Sequence, residues 1–122
     1  MERHNISGTS PYEPIIGFSR AVRISNTVHV SGTGPSGADD ASPADQTRAA
    51  LKLIEAALAK SGAKMQDVYR TRLYIARAED WEEIGRAHGE VFSSVLPATT
   101  MVVVQLLNPT WRVEIEAEAL IP

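Results

Sequence analysis

Residues 42–84, SPADQTRAALKLIEAALAKSGAKMQDVYRTRLYIARAEDWEEI, decide the architecture, because their hydrophobic period changes from 3.6 to 2 and back again. Ser42 is placed to cap a helix, Pro43 suits its first position, and Asp45 completes a capping box three residues on. Thr47, Leu51, Ile54 and Leu58 then recur at helical spacing through about Lys60, and Gly62 is the natural C′ residue. Val68 to Ala76 alternates, which predicts a strand with Tyr69, Thr71, Leu73 and Ile75 on one face and Arg70, Arg72 and Tyr74 on the other. Asp80 with Glu83 predicts the cap of a second helix, its buried stripe made of Trp81, Ile84, His88, Val91 and Phe92. Gly85 and Gly89 lie one turn apart on it. Each costs a helix roughly 1 kcal/mol relative to Ala, so the pair predicts close contact with another backbone.

Working outward, FSRAVRI (18–24) and TVHVSG (27–32) predict two strands paired through a tight turn at Ser25-Asn26. GTGPSGADDASP (32–43) reads as a loop with a possible short strand in the 30s. Residues 1–16 are polar and punctuated by Gly8, Pro11 and Pro14, which predicts an irregular arm ahead of a single domain spanning 17–122. TTMVVVQLL (99–107) and RVEIEAEALI (112–121) predict two final strands joined by a hairpin loop at Asn108–Trp111. The order implies an α+β fold with two helices packed on one face of a mixed sheet. Met101, Val102, Val103 and Val104 are apolar on both sides of their strand, so the second sheet face also needs a cover. Too little chain remains for another layer. The cover is expected to be another subunit.

The chain has 122 residues and 13.2 kDa, one domain's worth. Twelve Lys and Arg stand against 15 Asp and Glu, for a net charge of −3 without a basic block, which argues against a nucleic-acid partner. There is no Cys, which excludes a disulfide scaffold, a thiolate metal site and a cysteine nucleophile, and leaves the cytoplasm as the default compartment. No apolar run approaches the roughly 20 residues of a membrane span, so no membrane partner is expected. His4, His29 and His88 sit on separate elements without ligand spacing, so no metal is expected, and no Gly-rich nucleotide motif points to a cofactor. Near the end of the chain Glu114, Glu116 and Glu118 share one strand face, opposite Val113, Ile115, Ala117 and Ala119. Two readings stay open: an ion-pair face with Arg70 and Arg72, or a carboxylate in a partly dry subunit cleft, fitted by desolvation for proton transfer.

FSRAV (18–22), VHVSG (28–32), QTRAALKLIEAALAKSGA (46–63), DVYRTRLYIARAEDWEEI (67–84), VF (91–92), LPATT (96–100) and VEIEAEAL (113–120) form an ordered set. From about residue 14 to the end, this set resembles the Rid/YjgF family, the reactive intermediate deaminases, also described as L-PSP endoribonucleases. The resemblance implies a chorismate-mutase-like fold, a homotrimer with three clefts between subunits, and hydrolysis of 2-imino and 2-enamino acids without metal or cofactor. Carried over by position, Glu114 matches the catalytic acidic residue that handles water, Ser31 and Gly32 line the cleft, and Phe18 takes the place of a substrate-facing Tyr. His88 stands where a helix Tyr is usual, and Gly85 where Asn is usual.

One departure bears on the substrate. The deaminase motif reads Pro-Ala-Arg-Ser, and its Arg clamps the substrate carboxylate; here the segment is Pro97-Ala98-Thr99-Thr100. Thr99 forgoes an interaction of roughly 1.5–3 kcal/mol. Arg20 or Arg112 would have to reach in from elsewhere to replace it. The resemblance therefore implies an Arg-lacking branch whose partner is a small molecule other than the standard 2-imino acid. A metabolite-binding trimer without turnover is the alternative, and an endoribonuclease sits badly with the net charge.

Overall fold

A computed structural model describes residues 1–122. The strands are β1 (Arg3–Ile6), β2 (Ala21–Ile24), β3 (Thr27–Thr33), β4 (Val68–Ile75), β5 (Ala98–Val103) and β6 (Val113–Leu120). The helices are α1 (Pro43–Lys60) and α2 (Trp81–Phe92), with a π-helical turn at Glu13–Gly17 and short 3-10 turns at Met65–Asp67 and Ala78–Asp80. The strands form one six-stranded sheet in the order β1-β2-β3-β6-β4-β5. Only β4 and β5 run parallel, as the crossover through α2 requires. The fold is α+β with a mixed sheet, as its residue pattern implied.

Helix α1 forms where the apolar period placed it. Ser42 Oγ accepts the Asp45 N–H at 3.1 Å, but the Asp45 carboxylate pairs with Arg48 at 2.7 Å, so the reciprocal half of the expected capping box is not made. At the other end Gly62 takes φ +86°, which lets the Ala63 N–H reach the Leu58 carbonyl at 2.8 Å. One face of α1, with Ile84 and Phe92 of α2, packs on Leu73, Ile75, Val113 and Ile115 of the sheet, and all these side chains are buried.

Several expectations are corrected. Residues 3–6 pair with β2 rather than staying irregular; Arg3, His4 and Asn5 are all exposed, so an edge strand with no buried face leaves no alternation to read. No separate strand forms in the 30s, because β3 continues to Thr33 through an irregularity after Val30. Strands β5 and β6 do not make a hairpin: β5 ends at Val103 and pairs with β4, while β6 enters between β3 and β4, where Val113, Ile115, Ala117 and Ala119 reach the core. A shift in the ladder between Val68 and Arg70 puts Val68 in the core and turns Tyr69 outward.

Helix α2 starts differently from its sequence signal. The Asp80 carboxylate makes no capping bond; it accepts Arg112 Nε at 2.8 Å and Nη2 at 2.9 Å. Glu83 accepts the Ala44 N–H in the first turn of α1 at 2.8 Å, and Trp81 is 60% exposed. A Cβ on Gly85 would meet nothing closer than Met101 Cε at 3.9 Å, and one on Gly89 nothing at all, so the glycines bring no backbone together within the chain.

Gly34 is the glycine that packing requires, since a Cβ there would overlap the indole ring of Trp111. G34A is expected to cost roughly 1–3 kcal/mol through overpacking, read as a lower denaturant midpoint with unchanged slope. An unchanged midpoint would show that the ring has room to move.

Candidate active site

Both helices cover one sheet face and leave Glu114, Glu116 and Glu118 of β6 on the other. Two of these carboxylates are committed. Glu118 accepts Arg72 Nη1 at 2.6 Å and the Tyr69 hydroxyl at 3.2 Å, and Glu116 accepts the Tyr74 hydroxyl. The Arg72 hydrogen bond holds the Glu118 carboxyl below its ordinary pKa. Arg70 donates to Thr100 Oγ1 at 2.9 Å instead of joining an acid. The ion-pair reading thus describes Glu118 alone, and Glu116 is held by a tyrosine hydroxyl instead.

Glu114 is the third, and no group in the chain hydrogen-bonds it. Burial pushes its carboxyl above the ordinary glutamate range, the Arg20 charge opposes that rise, and Glu116 adds to it. Its Oε1 occupies the space a Cβ on Gly32 would fill, so the missing side chain at position 32 is what admits the carboxylate. This places a partly dry, unpartnered acid beside the end of β3.

The bend before β2 adds its residues to that end. Ser31 Oγ donates to the Ser19 carbonyl at 2.6 Å, and the Arg20 guanidinium lies 5.3 Å from the centre of the Phe18 ring. Arg20 Nη1 donates to the Gly32 carbonyl at 2.7 Å and to Thr33 Oγ1 at 2.8 Å. A chain of contacts thus runs from Phe18 through Arg20 and Gly32 to Glu114, with Ser31 tied to the backbone of Ser19. No group of three His, Asp or Glu side chains converges as metal ligands would.

Thr99 and Arg112 are not brought to this end. Thr99 Oγ1 sits 2.8 Å from Thr71 Oγ1 and donates to the Pro97 carbonyl at 3.1 Å, on the helix-covered face with β4 between it and β6. It can face Glu114 only across two chains. Within the chain Arg112 is held in its two-point pair with Asp80.

Thr71 in turn lies 3.0 Å from His88 Nε2, and the His88 ring packs 4.6 Å from that of Phe92. His88 is thus a part-buried, hydrogen-bonded histidine on the α2 stripe. Burial lowers its pKa below the ordinary 6.5. The unfolded chain then binds the proton more readily than the folded one, so this stability is complete above pH 6.5 and declines as pH falls toward the folded pKa. The melting temperature is expected to drop on acidification from neutral pH, and H88Q to flatten that drop. An equal slope in H88Q would contradict it.

Sequence reading missed the space beside this end. A cleft of about 250 Å³ lies between residues 7–12, the end of β3 and α1, with Arg20, Gly32, Leu53, Lys60 and Trp111 in its wall. The arm reaches this position because β1 pairs with β2, and a polar edge strand gave no sign of it.

A sequence profile of the family described as Endoribonuclease L-PSP matches residues 8–121. An uncharacterized protein of Streptomyces coelicolor is 37% identical over 119 residues, 93% of this chain and 89% of that protein. The 2-iminobutanoate/2-iminopropanoate deaminase of Dermatophagoides farinae is 33% identical over 117 residues, 86% of each. Among solved structures, a member of the YjgF/YER057c/UK114 family from Mycobacterium tuberculosis superposes with a TM-score of 0.92 at 44% identity, over 98% of this chain and 100% of that one.

Proposed function

The chain belongs to the Rid/YjgF family, and from that premise we propose that it is a small-molecule hydrolase, adding water to a reactive imine or enamine in clefts closed by further copies of itself. The observation that carries the reading is Glu114: half-buried, raised in pKa, and the one carboxylate of its row without a hydrogen-bond partner. An ionised Glu114 takes a proton from water as the oxygen bonds to the C=N carbon and the π pair moves to nitrogen. The resulting acid returns that proton to nitrogen. When the carbinolamine collapses, the regenerated Glu114 carboxylate takes the hydroxyl proton and passes it to nitrogen, the oxygen lone pair forms the carbonyl, and the C–N bond breaks to release ammonia. A carboxyl with a raised pKa suits both halves of this exchange better than an ordinary glutamate. An enamine enters the same path after gaining a proton on carbon.

A homotrimer is part of the reading. Its support is the uncovered sheet face together with Val102 and Val103, 41% and 55% exposed in the single chain. Each interface is expected to exceed about 1,000 Å². Sedimentation equilibrium should give three times the 13.2 kDa chain mass, and a single-chain mass would overturn the assembly. The cytoplasm is the proposed compartment, supported by a chain without cysteine; no helix is long and apolar enough to cross a membrane.

Thr99, in the clamp's place, supports a substrate other than the standard 2-imino acid and also gives the alternative its ground: a trimer that binds a metabolite without turnover. A ribonuclease is disfavoured by the three glutamates on the open face and the net charge of −3. The test generates 2-imino acids from amino acids with an amino-acid oxidase and carboxylate-free imines from primary amines with a flavin amine oxidase, and lets the protein compete with semicarbazide for them. Less semicarbazone is expected with at least one imine. Unchanged semicarbazone across the panel would support the binding reading.

A further inference from the structure

Thr99 stands exposed on the edge strand β5, and its hydroxyl is the outer end of a hydrogen-bond chain that begins inside the fold. Its Oγ1 donates to the Pro97 carbonyl at 3.1 Å and lies 2.8 Å from Thr71 Oγ1, which lies 3.0 Å from His88 Nε2. A hydroxyl has one proton and two lone pairs. The Pro97 carbonyl only accepts, so it takes the Thr99 proton, and Thr71 must donate the bond between the two hydroxyls. That spends the single Thr71 proton. His88 Nε2–H must then donate to Thr71, whose side chain is fully buried and has no water to turn to. Donation therefore runs one way, from His88 through Thr71 and Thr99 to the Pro97 carbonyl.

This direction fixes what Thr99 offers a ligand. One lone pair of Oγ1 receives the Thr71 proton, and the second is free on the exposed side. A hydroxyl held in this way accepts a hydrogen bond and does not donate one, so it repels a carboxylate and pairs with an N–H. Burial lowers the His88 pKa below 6.5, which leaves all four groups of the chain uncharged at neutral pH. Nothing in the chain of bonds neutralises a cation, so the fitting donor is itself uncharged.

We propose that Thr99 selects an imine or enamine that carries an uncharged hydrogen-bond donor, a carboxamide where the 2-imino acids carry a carboxylate, and that Thr71 and His88 are positioning residues that keep the Thr99 hydroxyl turned to accept. The claim that this group belongs to a substrate rests on the hydrolase reading. The direction of the bonds stands on its own geometry.

Nitrogen NMR of the His88 ring at neutral pH reads the direction: the proton is expected on Nε2, and a bare Nε2 would overturn the proposal. Binding is read with pyruvamide, the ketone that hydrolysis of the corresponding imine releases. Pyruvate is its carboxylate counterpart, and N,N-dimethylpyruvamide lacks the N–H. The native protein is expected to bind pyruvamide roughly tenfold more tightly than either control. T99V should weaken pyruvamide about three- to tenfold and abolish the preference. T71V removes the donor that holds Thr99 and should lower the ratio of pyruvamide to pyruvate affinity, while T71S restores it; a merely structural Thr71 would weaken both ligands alike. Native protein that binds pyruvate as tightly as pyruvamide, or binds neither, would overturn the proposal, as would a T99V that keeps the preference. Should T71V not fold, the native tautomer and T99V decide. If pyruvamide is preferred through Thr99 but no imine is hydrolysed, the donor specificity stands and the hydrolase falls. If imines are hydrolysed while T99V keeps the native preference, the hydrolase stands and the donor specificity falls.

Discussion

E114Q is expected to lower kcat on whichever imine the chain hydrolyses by roughly 10²–10⁴, with little change in KM. Glutamine keeps the volume and hydrogen-bonding reach of the side chain but cannot accept a proton from water. The kcat and KM pattern separates this role from ligand binding, which would move KM. Because Glu114 has no partner in the chain, its loss orphans nothing. Stability should move the other way. The folded pKa of Glu114 is raised above the unfolded 4.5, so its contribution is present below pH 4.5 and lost as pH rises through the folded value. At neutral pH the ionised carboxylate therefore costs stability, and E114Q should melt no lower than the native protein. A variant with native kcat would assign the water to another group.

The second large effect falls on stability. The Asp80 and Arg112 side chains are 9% and 26% exposed, and their two-point pair fastens the start of β6 to the turn before α2. Gln46, fully buried in α1, holds the same segment: its Oε1 accepts the Arg112 N–H at 2.7 Å, and its Nε2 donates to the Asp39 and Thr110 carbonyls at 3.0 and 3.1 Å. D80A leaves Arg112 without its counter-charge at a mostly buried position, which should cost about 3 kcal/mol. For a chain of this length that lowers the melting temperature by about 10 °C. A melting temperature within a degree or two of native would show that solvent replaces the carboxylate at Arg112.

The elements that sequence made legible are those with a buried face of definite period. Ser42, Leu51, Ile54, Leu58 and Gly62 write α1 in full, and Val113, Ile115, Ala117 and Ala119 assign β6 to the core and Glu114 to the opposite face. The resemblance added Ser31, Gly32 and Phe18, of which Gly32 lies directly against Glu114. What stayed hidden depends on partners distant in sequence. Asp80 has the composition of a helix cap, and only the fold brings Arg112 to claim its carboxylate. Asn108 and Pro109 carry the turn chemistry of a hairpin, yet the choice of strand neighbours follows from β6 filling the gap between β3 and β4. Tyr69 lies beside a one-residue ladder shift that no alternation announces. The cleft at Arg20 needs the arm, β3 and α1 together.

The measurement closest to the central claim is the pH dependence of kcat/KM for the native protein beside E114Q. The account predicts an acid limb in the native profile with its midpoint above the ordinary 4.5 of a glutamate, absent from the residual activity of E114Q, and moved upward in R20Q because the Arg20 charge holds the Glu114 pKa down. The same limb in native protein and E114Q would contradict it.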